Sequence, residues 1–297
     1  MPKVELLTGI DVGKTRSLWE EVFREDTKSF VDYYYTHKAW RNICFVMKDE
    51  DDIVSMVHLT PYDMCIVRDH DNRDKNFWEE LSAFYIVGVA TKELHRHKGY
   101  MTLLLENAFS YMRENGVSLA FLMPANPAIY EPFGFQYIYA RTDYQFCPEL
   151  ITETENLELR RATHKDCQML ASYAMEQLSD TYRFFLKRDP SYYDILLKEL
   201  ASENGGLYLI YVKGKFAGYF THACETEEFV QEVVIKEEYE SDLIVNLDED
   251  KKRILRKCKE KKPIIMGKYI NTNSKEDNFL INLANGKIKN GFINELV

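Results

Sequence analysis

At 297 residues the chain has room for one large or two ordinary domains. Apolar residues make up 45% of it and aromatics 13%, which supports a packed core and excludes a disordered chain. The net charge of −10 argues against a general nucleic-acid binder, which needs a basic face, and favours a cationic substrate. The six cysteines are scattered, with no CxxC-type pair for a metal or redox site. No apolar run approaches the roughly 20 residues of a membrane span. The N-terminal Met1-Pro2-Lys3-Val4-Glu5 lacks the apolar region of a signal peptide. The expectations are therefore a cytoplasmic protein with no metal, no membrane and no nucleic acid.

The chain opens with a near-miss. Gly9-Ile10-Asp11-Val12-Gly13-Lys14-Thr15 resembles a P-loop but has three residues between its glycines instead of four. A P-loop wraps phosphate with a fixed number of N–H groups, so the shortened form reads as a loop leading to a helix, with Asp11 or Lys14-Thr15 near its cap. That helix spans 15–25, with Leu18, Trp19, Val22 and Phe23 on one face. A second is expected over Ser29–Trp40, carrying the aromatic stripe Phe30, Tyr33, Tyr34 and His37. A hairpin follows, from Cys44 through the acidic turn Asp49–Asp52 to Leu59, with Thr60-Pro61 closing it and Tyr62–Val67 as a further strand.

Phe84–Val89 is an apolar run of the kind a central strand needs. After Gly99 the pattern switches to helical spacing, with Met101, Leu104, Leu105, Ala108, Phe109 and Met112 on one stripe, and Gly116 stops the helix. Between them lies Arg96-His97-Lys98-Gly99. A glycine at a strand-to-helix turn lets backbone N–H groups approach an anion, and the helix start adds unpaired donors and a positive dipole end. The stretch reads as a phosphate or pyrophosphate cradle, against the plain alternative of a charged βα turn. Ser118–Met123 is a buried strand ended by Pro124, Pro127–Phe133 a short helical turn, and Phe135–Tyr144 the last strand of this half. The order β-α-α-β-β-β-α-β-α-β over 1–147 describes a mixed α/β layer.

These residues resemble the GNAT N-acetyltransferase superfamily, whose acetyl-CoA motif Q/R-x-x-G-x-G/A is met by Arg96-His97-Lys98-Gly99-Tyr100-Met101, with Met101 in place of a small residue. Within it the chain is similar to the branch of enhanced-intracellular-survival acetyltransferases and their Gram-positive relatives. The likeness rests on Leu18-Trp19-Glu20, Val54–Tyr62, Val87-Gly88-Val89-Ala90-Thr91, Leu122-Met123-Pro124-Ala125 and above all Ile129-Tyr130-Glu131-Pro132-Phe133-Gly134-Phe135. The resemblance implies a GNAT-like mixed sheet flanked by helices and acetyl-CoA as cosubstrate. The pantetheine arm would pair with the backbone of Val87, Gly88 and Val89, and the pyrophosphate would sit on Arg96 to Met101. Asn126 joins the cofactor-binding set, and Tyr130 is the general acid that protonates departing CoA. A phenol suits that role because its pKa near 10 keeps the proton in place at pH 7. The plain alternative for Tyr130 is an aromatic wedge beside Phe133 and Phe135.

An acceptor ammonium must lose a proton before it attacks. The branch uses the chain's C-terminal carboxylate, here that of Val297, and the alternation in Phe292–Leu296 suits an ordered terminal strand. Proton transfer through water to an acidic side chain such as Glu25, Asp26 or Asp32 stays open. Apolar density drops near 148–156, which sets a boundary. Beyond it a strand from Leu157, helices at 164–178 and 190–203 and a hairpin over 207–221 repeat the opening order and resemble a second, degenerate GNAT-like domain over 148–262 without a phosphate turn. The charged 236–262 reads as a solvated helix face, and 263–297 as a remnant of the branch's sterol-carrier-like domain, with a strand at 264–270 and a hairpin at Asn285-Gly286. The reading is an N-acetyltransferase acting on a small-molecule or lysine amine, with a homo-oligomer carried over from longer relatives. A non-catalytic CoA-binding or assembly protein is the alternative.

Overall fold

The computed structural model describes residues 2–68, 78–147, 157–224, 228–239, 243–248, 251–270, 277–288 and 290–293. In chain order the elements begin β1 (Lys3–Thr8), α1 (Arg16–Val22), α2 (Lys28–Tyr33), β2 (Ile43–Asp49), β3 (Asp52–Ile66), β4 (Glu79–Thr91), α3 (Tyr100–Glu114), β5 (Leu119–Leu122) and β6 (Gln136–Cys147). They continue β7 (Leu157–Arg161), α4 (Cys167–Thr181), β8 (Phe184–Leu186), α5 (Pro190–Ser202), β9 (Gly206–Val212), β10 (Lys215–Cys224), β11 (Glu228–Phe229), β12 (Val233–Ile235), β13 (Leu243–Asp248), β14 (Lys251–Tyr269), α6 (Asn278–Ala284) and β15 (Gly291–Phe292). The chain divides into two compact units, one of Met1–Tyr139, Tyr182–Lys187 and Pro263–Val297, the other of Ala140–Thr181 and Arg188–Lys262. The expected boundary at 148–156 lies outside the described residues.

The first unit is a mixed sheet in the order β1-β2-β3-β4-β5 and then the end of β14. Along this order pairing is antiparallel except where β4 meets β5, the parallel step that α3 makes possible by carrying the chain back across one face; off it, β15 pairs with β8, also in parallel. Leu104, Leu105, Ala108, Phe109 and Met112 of α3 are buried against Phe45, Val57, Leu59, Phe84 and Ile86. That helix ends in a Schellman closure. Gly116 takes φ +71°, its N–H donates to the Arg113 carbonyl, and the Val117 N–H donates to that of Met112. The opposite face packs Tyr85, Leu119 and Phe121 against Ile138, Ile265, Leu280, Leu283 and Ile293. The mixed α/β class read from the sequence is the observed one.

Several expectations change. Thr60-Pro61 does not close the hairpin, because β3 runs through it with Pro61 opposite Phe84. The strand tolerates this proline because β2 starts opposite Leu59 and β8 ends opposite Met64, so no neighbour asks Pro61 for an N–H. The helix expected over Ser29–Trp40 is broken into α2, a π-turn at Tyr34–Lys38 and a 3-10 turn at Ala39–Arg41. The charged 236–262 is not a helix face. Its described part is mostly strand, with Ile254 and Leu255 opposite Ile244 and Leu243, so cross-strand pairing prevailed over the charge pattern. Asn285-Gly286 is no hairpin turn but the end of α6, where Gly286 takes φ +64°. The segment expected to be a third-domain remnant belongs to the first unit, where Met266–Tyr269 pairs antiparallel with Leu122–Leu119.

In the second unit β11-β10-β9-β7 form a sheet, with β12 also on β10. Its core holds a buried ion pair, Arg188 to Glu232 at 3.1 Å, with the Tyr219 hydroxyl donating to the other Glu232 oxygen at 2.8 Å and Tyr193 on Tyr219 at 2.7 Å. Arg188 also lies 4.0 Å from the centre of the Tyr192 ring. A buried pair of this kind needs such extra partners to offset its desolvation. Among the described residues no helix is long and apolar enough to cross a membrane.

Candidate active site

The site begins where two strands part. β4 and β5 pair only at Ala83–Leu119, Phe84–Ala120 and Tyr85–Phe121, while β4 runs on six residues to Thr91 against β3 alone. Within that extension His58 faces Val87 and Met56 faces Ala90, so Gly88 and Val89 together oppose Val57. This is a bulge on β4, and it reverses which backbone groups face which side. Before it the Ser82 carbonyl takes the Ser118 N–H on the β5 side. After it the Ala90 carbonyl takes the Ser55 hydroxyl and the Lys92 N–H donates to Val54, both on the β3 side. By alternation the backbone groups of Val87 face β3, and those of Val89 face the side that β5 has left. Of the sequence-selected pair, Val89 alone presents its backbone to the opening.

Gly88 is required twice. It takes φ +58°, and a Cβ there would come 2.5 Å from the Trp19 ring. Trp19 is held in turn by Asp26, which accepts its indole N–H at 2.7 Å, and by Tyr34 and His58, with ring centres 4.4 and 5.7 Å away. Beneath lies a buried polar chain. The Thr15 hydroxyl donates to the Val12 carbonyl at 2.7 Å, so its oxygen must accept from Tyr35 at 3.0 Å and from His58 Nε2 at 3.1 Å. The His58 Nδ1 then accepts from Tyr34 at 3.2 Å, and Tyr34 from the Asn42 amide at 2.8 Å. One tautomer satisfies the whole chain, and it ends on a carbonyl that has no proton to pass on. His58 is therefore a fixed neutral donor and acceptor, not a proton relay. Burial pushes its pKa down to about 3. Nothing in the sequence analysis selected His58; its only signal was a polar residue inside Val54–Leu59. Thr15, of the near-miss P-loop, is turned inward and committed here, and does not cap α1.

Beyond β4 the chain makes a 3-10 turn at Glu93–His95 and then enters α3. His97 and Gly99 take φ +62° and +77°. Left-handed residues alternating with right-handed ones turn successive N–H groups to one side. Among the described residues, no backbone acceptor engages the N–H groups from His97 to Thr102, and the first return bond of the helix is Leu103 to Gly99 at 3.1 Å. A Cβ on Gly99 would meet nothing within 4 Å, so the space over the turn is open. Arg96, His97 and Lys98 are exposed and Tyr100 and Met101 half-buried. Arg96 donates back to the Thr91 carbonyl at 3.3 Å. The second unit contrasts: α5 is capped by Asp189, which accepts the Tyr192 N–H, and the turn into α4 by Thr163 with Asp166. Their own side chains occupy what α3 leaves open.

Tyr130 stands between 3-10 turns at Pro127–Ile129 and Glu131–Phe133, 8% exposed and edge-on to Phe135. Its hydroxyl has no partner among the described residues, and burial raises its pKa above that of a free phenol. Asn126 is exposed, and its side chain caps the first of these turns at the Ala128 N–H, 3.1 Å. Val297 lies outside the described residues. Of the acidic alternatives, Asp32 is tied to Lys28 and Arg16, which hold its carboxyl below the usual range. Asp26 serves Trp19, and Glu25 is exposed.

Residues 3–138 match the model of the acetyltransferase (GNAT) domain family. The fold is shared with a probable N-acyltransferase from Enterococcus faecalis V583, at 13% identity over 91% of this chain and 73% of that one, TM-score 0.67. It is also shared with a GCN5-related N-acetyltransferase from Kribbella flavida (18%, 80% and 58%, 0.57) and with Eis1 from Mycobacterium abscessus (12%, 79% and 59%, 0.54). The chain spans less than two thirds of the last two. At these identities the likeness is one of fold. No curated protein matches the chain.

The depressed pKa of His58 sets the sign of an acid effect. The unfolded chain binds a proton here near pH 6.5 and the folded one only near 3, so stability is intact above 6.5 and falls as pH drops through that window. Urea unfolding should show a slope on the order of 1 kcal/mol per pH unit between about pH 6 and 4. His58→Gln, less stable at pH 7.5, should lack that slope; parallel losses in the two proteins would refute the assignment.

Proposed function

With residues 3–138 matched to the acetyltransferase (GNAT) domain, we propose that the protein transfers acetyl from acetyl-CoA to a primary amine by direct attack in a ternary complex. The observation that carries this reading is the parting of β4 from β5. It leaves the Val89 backbone open beside a strand-to-helix turn of unengaged N–H groups, with the Tyr130 turn following β5. An extended arm ending in a pyrophosphate matches that order: amide groups for Val89, anion for His97–Met101. The enhanced-intracellular-survival branch is the relative we favour, on the Ile129–Phe135 motif.

The amine nitrogen attacks the thioester carbonyl, and the tetrahedral adduct collapses with loss of the CoA thiolate. Tyr130 donates its hydroxyl proton to that sulfur. A free thiolate is a weaker base than a phenolate, and burial raises the Tyr130 pKa further, so complete transfer is uphill. The phenol acts first as a hydrogen-bond donor to the developing charge and transfers fully as the proton shed by the attacking nitrogen from the adduct replaces its own. The resemblance assigns removal of the earlier proton, the one the acceptor ammonium loses before it attacks, to the Val297 carboxylate. Supporting this, Ile293 is buried beside Phe121 and Tyr85, so the chain reaches the sheet of this unit four residues earlier. The acceptor we infer is a small cationic amine or a lysine side chain, in keeping with the net charge of −10. The second unit, with its helix starts occupied, binds no acetyl-CoA in this reading.

Tyr130→Phe should lower kcat by about 100-fold across an amine panel assayed for CoA release, with acetyl-CoA affinity within about twofold of wild type; unchanged turnover would remove Tyr130 from the mechanism. Gly99→Val forces a branched side chain into left-handed backbone and fills the space over the turn, so calorimetry should show acetyl-CoA binding at least about 10-fold weaker. Lys98→Ala should cost only about two- to fivefold. The reverse ranking would place recognition on side-chain charge. Deleting Leu296 and Val297 should abolish turnover with the melting temperature kept; retained turnover sends the base role to a side-chain carboxylate.

A further inference from the structure

The Tyr130 turn is locally bonded almost throughout. Its backbone bonds run Ile129 to Asn126, Tyr130 to Pro127, Phe133 to Tyr130 and Gly134 to Glu131. None of these fixes the turn to the sheet. Phe133 and Phe135 supply apolar contacts to Phe109 of α3. A polar tether comes from far along the chain. Lys268, on the stretch of β14 that pairs with β5 and directly opposite Ala120, donates its ammonium to the Phe133 carbonyl at 2.6 Å. Its Nζ lies 5.4 Å from the centre of the Phe109 ring and would be 3.2 Å from a Cβ on Gly134, whose φ of +83° turns the chain there.

Three features mark this contact as more than surface decoration. The lysine is half-buried, so its ammonium gives up water for one carbonyl and one ring face. The carbonyl it takes closes the 3-10 turn that begins immediately after Tyr130. And β5, the strand to which Lys268 is registered, is the one that parts from β4 at the opening. The geometry points to Lys268 as a positioning residue for Tyr130: its ammonium ties the Glu131–Phe133 turn to the sheet edge and so sets where the phenol stands relative to the sulfur. This rests on the reading of Tyr130 as general acid. It adds no group to the chemistry; Lys268 acts through the turn.

The environment supplies a diagnostic. Desolvation and then Arg113 of α3 hold the Lys268 pKa below that of a free lysine. The groups facing the ammonium from the packed elements are the Phe133 carbonyl, the Phe109 ring and Arg113, which does not titrate in the working range. Burial pushes Tyr130 upward, in the direction opposite to the lysine. The tether is present at neutral pH and is lost on the alkaline side.

The experiment compares wild type, Lys268→Met, Lys268→Arg, Tyr130→Phe and the double variant Tyr130→Phe/Lys268→Met in the full chain. For each, kcat and KM are measured from pH 6.5 to 10 with acetyl-CoA and one accepted amine, together with acetyl-CoA affinity and melting temperature. Lys268→Met should lower kcat about 10-fold at pH 7.5, with acetyl-CoA affinity within twofold and no alkaline limb from this group. Lys268→Arg should keep at least half the rate and move the alkaline limb of kcat upward by a pH unit or more. In the Tyr130→Phe background the methionine change should have no further effect. If Tyr130→Phe is slow and Lys268→Met multiplies its loss in full, the lysine does not act through Tyr130 and the proposal falls alone. Wild-type kcat in Lys268→Met, or an alkaline limb unmoved in Lys268→Arg, also overturns it. Wild-type turnover in Tyr130→Phe removes the general-acid reading and this proposal with it.

Discussion

The active-site unit depends on one interruption of hydrogen bonding. β4 and β5 pair for three residues and then separate, and everything distinctive about the site lies past that point. A sheet ordinarily cannot leave a central strand unpaired, since buried N–H and C=O groups without partners are costly. The interruption persists because β4 keeps a full partner in β3 on its other side and because the Gly88–Val89 bulge sends the exposed backbone groups to where a ligand can meet them. Trp19 fills the volume that a side chain at Gly88 would need, so its packing fixes the bulge.

The polar chain from Asn42 through Tyr34, His58 and Thr15 to the Val12 carbonyl belongs to the same construction. A buried histidine usually invites a catalytic reading. Here the donors and acceptors are used up in one direction, and the chain terminates on a backbone oxygen. Such a network rewards a single arrangement of the segments it joins, namely the 3-10 turn before α1, the π-turn after α2, and β3. Two of those segments contact Trp19, through Tyr34 and His58. The histidine thus contributes to the site by holding what holds the bulge.

The second unit interrupts the first rather than following it. Residues 182–187 and 263 onward belong to the first unit, and the end of β14 completes its sheet beside β5. Lys268 arrives by this route. Within the second unit the buried Arg188–Glu232 pair with its tyrosines has a related logic, a polar cluster joined through its own neighbours. The closed helix caps at Asp189 and Thr163 leave nothing there resembling the open start of α3.

Local pattern went far in this chain. The strand Phe84–Val89, the α3 stripe, the glycine turn, the halt at Gly116 and the Pro127–Phe133 turn could all be read from residues close in sequence, because each is set by periodicity, by glycine's access to positive φ, or by proline. The same rules failed where cross-strand pairing prevailed over the charge pattern, as in the charged strands of 243–262. They failed again where neighbours decide: Pro61 sits in a strand only because it falls in the gap between the start of β2 opposite Leu59 and the end of β8 opposite Met64. That Val89 and not Val87 opens toward the cleft follows from the bulge register. His58 and Lys268 could not be found from spacing, since their partners lie 43 residues away at Thr15 and 135 away at Phe133. By itself the sequence determined the fold class and the glycine turn into α3, and displayed the Ile129–Phe135 motif, since each is written within a few residues. Tertiary structure alone decided which backbone groups are left unpaired and which distant side chains hold them in place, because hydrogen-bond satisfaction is a property of neighbours in space.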